Sequence, residues 1–137
     1  RYFIIGNGAE YPQAAAMVKR LGLETSVTLL GEMLNPYGYL KAADVLLIPS
    51  FSEAAPMVIG EAASLGTPVL STRTSSAEEM ILCSGYGWVC DNTQVGITEG
   101  LERLLANPEI LKSHRESLEK MEFTNSEAIT EFRHLIS

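Results

Sequence analysis

The chain has 137 residues, a hydrophobic fraction of 46% and a charged fraction of 20%, values typical of one globular domain with a full core. Its formal net charge of −7 argues against nucleic acid and against a polybasic membrane patch, because both kinds of partner require a basic surface. Gly, Pro and polar residues interrupt every long apolar stretch, so no segment is predicted to span a bilayer.

Short β-branched runs alternate with amphipathic runs along the chain. In chain order they predict strand 2–6, helix 11–23, strand 26–31, helix 36–43, strand 44–50, helix 56–66, strand 67–72, helix 76–84, strand 87–91 and helices 94–106, 108–121 and 125–136. This alternation predicts the α/β class, with a doubly wound, Rossmann-like parallel sheet of about five strands, helices on both faces and a helical C-terminal tail. The whole chain, 1–137, is predicted to be a single domain.

Three expectations concern the placement of particular elements. Strand 44–50 is the most apolar and is expected at the centre of the sheet, and strand 2–6 is expected to be buried. Ser75 or Ser76 is expected to cap the N-terminus of helix 76–84.

The cysteines and histidines do not have the spacing of a metal site. Cys83 and Cys90 are predicted to be reduced, buried thiols of a cytoplasmic protein, since the sequence shows no secretory signal. His114 and His134 lie far apart in polar helical stretches, so no metal is predicted.

In doubly wound sheets, ligands bind beyond the carboxyl ends of the strands. The loops that follow the predicted strands are therefore candidates for a binding site. These loops are 6–10, 31–36, 50–56, 72–76 and 91–93.

Two glutamates are candidate ligand-binding residues: Glu53 in the predicted loop 50–56 and Glu61 in the predicted helix 56–66. Glu61 is the single charge in the nineteen residues 54–72, where an unpaired carboxylate is unfavourable. With Pro56 as the first helical residue, the side chain of Glu61 leans back toward the sheet edge that carries Glu53. A phosphate-binding helix N-terminus lies between the two. The pair predicts a ligand with a sugar, a diphosphate and a ribose; the alternative is an ordinary solvated helix residue and loop charge.

Several segments form a recognisable pattern: "IIGNGAEY", "VTLLGEM", "YLKAADVLLIPSFSEAAPMVIGEAASLGTPVLST", "EEMI" and "GYGWVCDN". They resemble the C-terminal, nucleotide-sugar-binding half of the retaining family-4 glycosyltransferases (glycosyl transferases group 1), which have the GT-B fold. Two glutamates with seven residues between them, here Glu53 and Glu61, are that family's signature. The stretch "EAAPMV" is similar to transferases of capsule, lipopolysaccharide or exopolysaccharide assembly.

The resemblance implies roles for the matched residues. Glu53 would orient the donor sugar through its hydroxyls, as the catalytic residue, and Glu61 would bind the ribose hydroxyls. The other implied donor-binding residues are backbone groups of Ala54, Ala55 and Met57 near the diphosphate or sugar, the turn Gly6, Asn7 and Gly8 at the cleft, Gly31, Glu32, Met33 and Leu34 around the base, and Thr72 with the loop to Glu79 around the sugar.

The sequence departs from the family pattern at three places. Ala54 stands where Gly is frequent, and Ser75–Ser76 stand where the family has two glycines. Arg73 occupies a position where Asp or Asn is expected; it either reaches the diphosphate or is a solvated loop cation.

The resemblance implies a metal-independent hexosyltransferase without a cofactor, with UDP-sugar as the default donor. A nucleotide-sugar epimerase of the same architecture, a non-catalytic nucleotide-binding module and a purely structural domain are the alternatives. The family's diphosphate-binding Arg and Lys precede the matched segments, and its acceptor-binding domain lies further N-terminal. We therefore expect an inactive donor-binding fragment, able to form a homodimer. The sugar or lipid-linked acceptor would bind the other domain, and the parent enzyme would be cytoplasmic or peripheral at the inner face of the membrane.

Overall fold

A computed structural model of the protein describes residues 1–52, 57–121 and 123. Within these residues five strands form at the predicted places, and every strand pairing is parallel. The strands are β1 (Tyr2–Ile5), β2 (Val27–Gly31), β3 (Leu46–Ile48), β4 (Val69–Thr72) and β5 (Gly87–Cys90). The helices are α1 (Tyr11–Arg20), α2 (Tyr37–Ala42), α3 (Val58–Ser64), α4 (Ser75–Ser84), α5 (Gln94–Leu105) and α6 (Pro108–Glu119). The predicted α/β class is confirmed; the predicted helix 125–136 lies outside the described residues.

The strands pair as two sheets, β1 with β2 and β3-β4-β5. The chain correspondingly divides into two compact units, Arg1–Gly38 and Tyr39–Ser137.

The first unit is built on the β1–β2 ladder, in which Tyr2 lies opposite Val27 and Ile5 opposite Gly31. Helix α1 connects the two strands and contacts β2. Three of the four residues of β1 are exposed, so the prediction of a buried strand is wrong. A two-stranded ladder offers too little surface to cover both faces of its own strands.

The second unit is organised around β4, which lies between β3 and β5 and is buried at all four residues. The prediction that the apolar run at 44–50 would be central is therefore wrong. The reason is that Ser71 and Thr72 of β4 are satisfied while buried, because both hydroxyls donate hydrogen bonds to backbone carbonyl oxygens. A partly polar strand can occupy the centre of a sheet when its polar atoms have such partners.

Helices cover both faces of this sheet. Leu70 of β4 is paired in register with Trp88 of β5, so their side chains share one face, and helix α5 packs on that face at Gly100. Helices α3 and α4 contact each other, and both contact β4. Because crossovers between parallel strands are right-handed as a rule, the successive crossovers that contain α3 and α4 place these helices together on the opposite face. The residues buried most deeply in this unit include Ile59, Ala62, Ala63, Ile81, Leu104 and Leu118.

Helix α6 is attached through side chains that reach backbone groups. Nε2 of His114 lies 2.9 Å from the carbonyl oxygen of Gly85; because a carbonyl can only accept, this nitrogen is the donor. The imidazole ring also packs on Trp88, with ring centroids 4.5 Å apart. The guanidinium of Arg115 donates to the carbonyl oxygens of Lys41 and Ala43, at the C-terminal end of α2.

The backbone of β5 approaches that of β4 at Gly87. A Cβ atom at Gly87 would lie 1.8 Å from the carbonyl oxygen of Val69, so any side chain there would force the two strands apart. We expect Gly87→Ala to lower the free energy of unfolding by about 3 kcal/mol. Gly38→Ala is the matched control, since a Cβ at Gly38 meets nothing within 4 Å. Urea unfolding followed by circular dichroism measures both variants, and equal midpoints would contradict the close approach.

The two cysteines differ in their environment. Cys83 is exposed, which makes the prediction of a buried thiol wrong for this residue, whereas Cys90 is partly buried. Cys83 lies near the C-terminal end of α4, which ends at Ser84. Burial, aided by the negative charge of Asp91, raises the pKa of Cys90, so less of this thiol is ionised at a given pH.

We therefore expect iodoacetamide at neutral pH to alkylate Cys83 before Cys90, because Cys83 is accessible and the thiolate is the reactive form. Peptide mass spectrometry over a time course measures the two rates. In the control variant Cys83→Ser, only the slower modification should remain. Similar rates at the two positions would show that the burial of Cys90 gives no protection.

Candidate functional site

The carboxyl ends of β3, β4 and β5 meet at one edge of the second unit, because the three strands are parallel. This edge carries four of the predicted binding residues, namely Met57, Glu61, Thr72 and Arg73. Glu53, Ala54 and Ala55, which come between β3 and α3 in the sequence, lie outside the described residues. Their predicted roles stay predictions.

Glu61 lies in the first turn of α3 and is partly buried. The helix begins at Val58 with Met57 at its N-cap, two residues later than predicted, and this brings Glu61 closer to the edge of the sheet. The next two residues, Ala62 and Ala63, are completely buried. None of the described residues forms an ion pair with the Glu61 carboxylate. Beside the core, Glu61 therefore presents a carboxylate that has no ionic partner within residues 1–52, 57–121 and 123, as an acceptor of ligand hydroxyl groups would.

Thr72 is buried at the end of β4, and its hydroxyl group is already engaged. It donates to the carbonyl oxygen of Ser50, and it lies 3.3 Å from that of Ile48. Thr72 thus holds the backbone that leaves β3. In this arrangement it shapes the edge of the site through its position, and its hydroxyl does not point to an open space.

Arg73, directly after β4, is exposed and lies among carboxylates. Its guanidinium pairs with Glu78, and its Nε lies 3.9 Å from Oδ1 of Asp91. These contacts favour the interpretation of Arg73 as a surface cation over a diphosphate contact. Glu79, on the first part of α4, is exposed.

The N-terminus of α4 differs from the prediction. Thr74, in an extended conformation, is the N-cap, and both Ser75 and Ser76 belong to the helix. The side chain of Thr74 does not cap the helix; its Oγ1 is buried and has no hydrogen-bond partner in the described part of the chain. The prediction of Ser75 or Ser76 as the cap is wrong because the helix starts one residue earlier than expected.

Asn92 is a further residue at this edge that the sequence analysis did not single out. Its Nδ2 donates to the carbonyl oxygen of Phe51, at 2.9 Å, and lies 3.4 Å from that of Arg73. Asn92 thereby joins the loops after β3, β4 and β5. The signal that could have identified it is its place in the candidate loop 91–93, where an amide side chain can bond to neighbouring backbone.

In the first unit, the predicted turn and the predicted base-binding loop lie side by side. The backbone N–H of Gly6 donates to the carbonyl oxygen of Gly31 at 2.7 Å. Gly31 has φ 71°, a conformation that favours glycine. Beyond it, Glu32 and Leu34 are exposed and Met33 is partly buried. Asn7 and Gly8 are also exposed.

A cavity of about 300 Å³ lies elsewhere, between α5 and the sheet. Trp88, Cys90, Glu99 and Arg103 are among its lining residues. Asp91, from the candidate loop 91–93, also lines it, whereas none of the individually predicted donor-binding residues does. Among the described residues, no three His, Cys, Asp or Glu side chains come together as a metal site would require, and no helix is both long and apolar enough to cross a membrane.

The family model of Glycosyl transferases group 1 matches residues 1–121. The chain belongs to this family. A relative from Bacillus anthracis, N-acetyl-alpha-D-glucosaminyl L-malate synthase, is 28% identical over 111 residues, which are 80% of this chain and 29% of the relative. The lipopolysaccharide core biosynthesis glycosyltransferase LpsD from Rhizobium meliloti is 27% identical over 107 residues, 77% of this chain and 31% of LpsD.

Solved structures show the same fold. The crystal structure of Anabaena Alr3699/HepE in complex with UDP superimposes with a TM-score of 0.72 at 20% identity, over 85% of this chain and 34% of that protein. The α/β fold, with parallel strands and helices on both sides, is that of the GT-B glycosyltransferases. This chain spans about a third of the length of each of these proteins.

Proposed function

We propose that the chain is the donor-binding domain of a retaining glycosyltransferase that takes a UDP-sugar and acts in the biosynthesis of polysaccharide, capsule or lipopolysaccharide. Membership of Glycosyl transferases group 1 supports the reaction class. The UDP in the complex of the Anabaena protein supports the nucleotide, and the name of the Rhizobium relative supports the pathway.

The observation that carries the proposal is the environment of Glu61. A partly buried carboxylate without an ionic partner among the described residues has acceptor oxygens available to a ligand. Its position, in the first turn of the helix that follows β3, is the edge where ligands of doubly wound sheets bind. A carboxylate there can accept hydrogen bonds from both hydroxyls of a ribose.

The proposed reaction replaces the nucleotide on the sugar with an acceptor hydroxyl that attacks from the same face. Glu53 orients the sugar in this step and forms no covalent bond to it. Negative charge develops on the leaving diphosphate and must be neutralised by cations. In this chain Arg73 is already paired with acidic neighbours. We therefore infer that those cations, and the acceptor site, belong to other parts of the enzyme, and that this chain alone binds the donor without transferring the sugar.

Calorimetric titration of the chain with UDP, GDP and ADP tests the proposed nucleotide. We expect UDP to bind most tightly, with a dissociation constant of about 0.1–1 mM, because a half-site supplies only part of the binding energy. If none of the three nucleotides binds, the proposed function is wrong.

The variant Glu61→Gln tests the ribose contact. The neutral amide is a weaker acceptor, so we expect the affinity for UDP to fall about tenfold. The affinity for 2′-deoxy-UDP should fall much less, since one of the two hydroxyls is absent from that ligand. Glu102→Gln, an equal change of charge at an exposed position on α5, is the control. An equal loss for both ligands would place Glu61 away from the ribose.

Arg73→Ala distinguishes the two interpretations of this cation. Because Arg73 is exposed and paired with Glu78, we expect the affinity for UDP to stay within about twofold and the stability to change by less than about 1 kcal/mol. Calorimetry with UDP and with uridine measures the part that depends on the phosphates. A tenfold loss for UDP alone would show that Arg73 binds the diphosphate.

A further inference from the structure

The cavity between α5 and the sheet follows the outer edge of β5. Four successive residues at the end of this strand line it, namely Trp88, Val89, Cys90 and Asp91. Successive residues of a strand point to opposite faces, so a cavity that touches all four reaches the edge of the strand as well as one face. Among the described residues β5 pairs only with β4, so its other edge is open.

The backbone of Val89 presents hydrogen-bonding groups at this open edge. The carbonyl oxygens of Tyr86 and Cys90 accept from β4, at the N–H groups of Val69 and Arg73. Because backbone groups alternate in direction along a strand, the N–H and C=O of Val89 point away from β4. Neither group has a hydrogen-bond partner in the described part of the chain. An extended peptide can pair with such groups and add a strand to the sheet.

The floor of the cavity is apolar. Leu70 and Leu104 are almost completely buried there, and Trp88 is partly buried beside them. The volume of about 300 Å³ is at the lower end of the range for ligand sites, which extends to about 1,000 Å³. This size suits a short stretch of extended chain and is small for a bulky cofactor.

Two opposite charges stand on the wall that α5 contributes. Glu99 and Arg103 both line the cavity, and neither forms an ion pair with another described residue. They are four positions apart on the helix, which corresponds to about 6 Å along its axis. Residues two positions apart in an extended strand lie on one face at nearly the same spacing, about 6.6 Å. A strand beside β5 can therefore present one side chain to each of the two charges.

The charges give the cavity an acidic end and a basic end. Helix α5 runs back along β5, since a Cβ atom at Gly96 would lie 2.4 Å from the carbonyl oxygen of Asp91 and one at Gly100 would lie 3.3 Å from Cβ of Cys90. Glu99 is consequently nearer to Asp91, and the two carboxylates add at that end. Arg103 lies toward the other end of the strand.

We propose that the open edge of β5 and the facing side of α5 bind an extended peptide segment in which an acidic and a basic residue stand two positions apart. The backbone of the segment pairs with Val89, its acidic side chain meets Arg103, and its basic side chain meets Glu99 and Asp91. This site is separate from the one at Glu61, because none of the individually predicted donor-binding residues lines the cavity. It adds a partner-binding surface to the proposed donor site.

Two synthetic peptides test the proposal, acetyl-Val-Glu-Val-Lys-Val-amide and acetyl-Val-Lys-Val-Glu-Val-amide. They have the same composition and the opposite order of charges, so only one of them can satisfy both ends of the cavity for a given strand direction. Titrations of the ¹⁵N-labelled chain, followed by ¹H–¹⁵N correlation NMR, measure binding. We expect one order to bind about fivefold more tightly than the other, the effect of two exposed ion pairs. The amide signal of Val89 should be among those that move most, because its N–H gains an acceptor.

The double variant Glu99→Arg, Arg103→Glu tests the charges. It exchanges the two ends of the cavity wall, so the preferred order of the peptides should reverse, while the affinity for UDP stays within about twofold. Glu102→Arg is the matched control, because Glu102 is exposed on α5 and does not line the cavity; it should keep the wild-type order. If the double variant does not fold, Arg103→Gln replaces it, and the preference should then fall to about twofold.

Three results would overturn the inference. The first is a wild-type chain that binds neither peptide, and the second is a preferred order that the charge changes leave as it was. The third is a dimer in sedimentation velocity whose Val89 amide signal moves on dilution, since a second copy of the chain would then occupy the edge. None of these results bears on the donor site, which the UDP titration tests by itself.

Discussion

The burial of β4 between two parallel neighbours is the constraint on which the second unit depends. This strand has no exposed residue, so each of its polar atoms must find a partner inside the protein. The hydroxyl of Thr72 finds it in the backbone that leaves β3. The core and the candidate site are consequently connected. The hydrogen bonds that satisfy the buried Thr72 hydroxyl also hold the backbone of the loop that follows β3. A strand of purely apolar residues would bury equally well but would leave that loop untethered.

The alternation of elements could be predicted from the sequence because periodicity is a local property. The pattern within a few residues predicts a strand at 67–72 and a helix at 94–106. The structure confirms both elements, with shifts of one or two positions at their ends. The order of strands within the sheet cannot be predicted in this way, because it depends on contacts between segments that are distant in the sequence. The apolar run at 44–50 was a reasonable candidate for the centre, but hydrophobicity cannot reveal that the hydroxyls of β4 would be satisfied by the neighbouring strand.

The residues of the candidate site also differ in whether the sequence alone can identify them. Glu61 could be identified because its charge is isolated in an apolar run, and the structure keeps it partly buried at the expected edge. Asn92 could not, because an asparagine after a strand looks like any other loop residue until its partner is known. Arg73 shows the converse: from the sequence its positive charge fits either a phosphate contact or a solvated loop cation, and the fold brings Glu78 and Asp91 to it. Local sequence therefore identifies unusual residues more readily than it identifies their neighbours.

The attachment of α6 defines how this domain can be exchanged between enzymes. His114 and Arg115 bond to main-chain oxygens, groups that every relative possesses whatever its side chains. A chimera that ends before α6 would leave those carbonyl groups without their donors and would expose the surface beneath Leu118. A transplanted segment should therefore include the chain through Glu119, while the side chains of the residues that α6 contacts can vary.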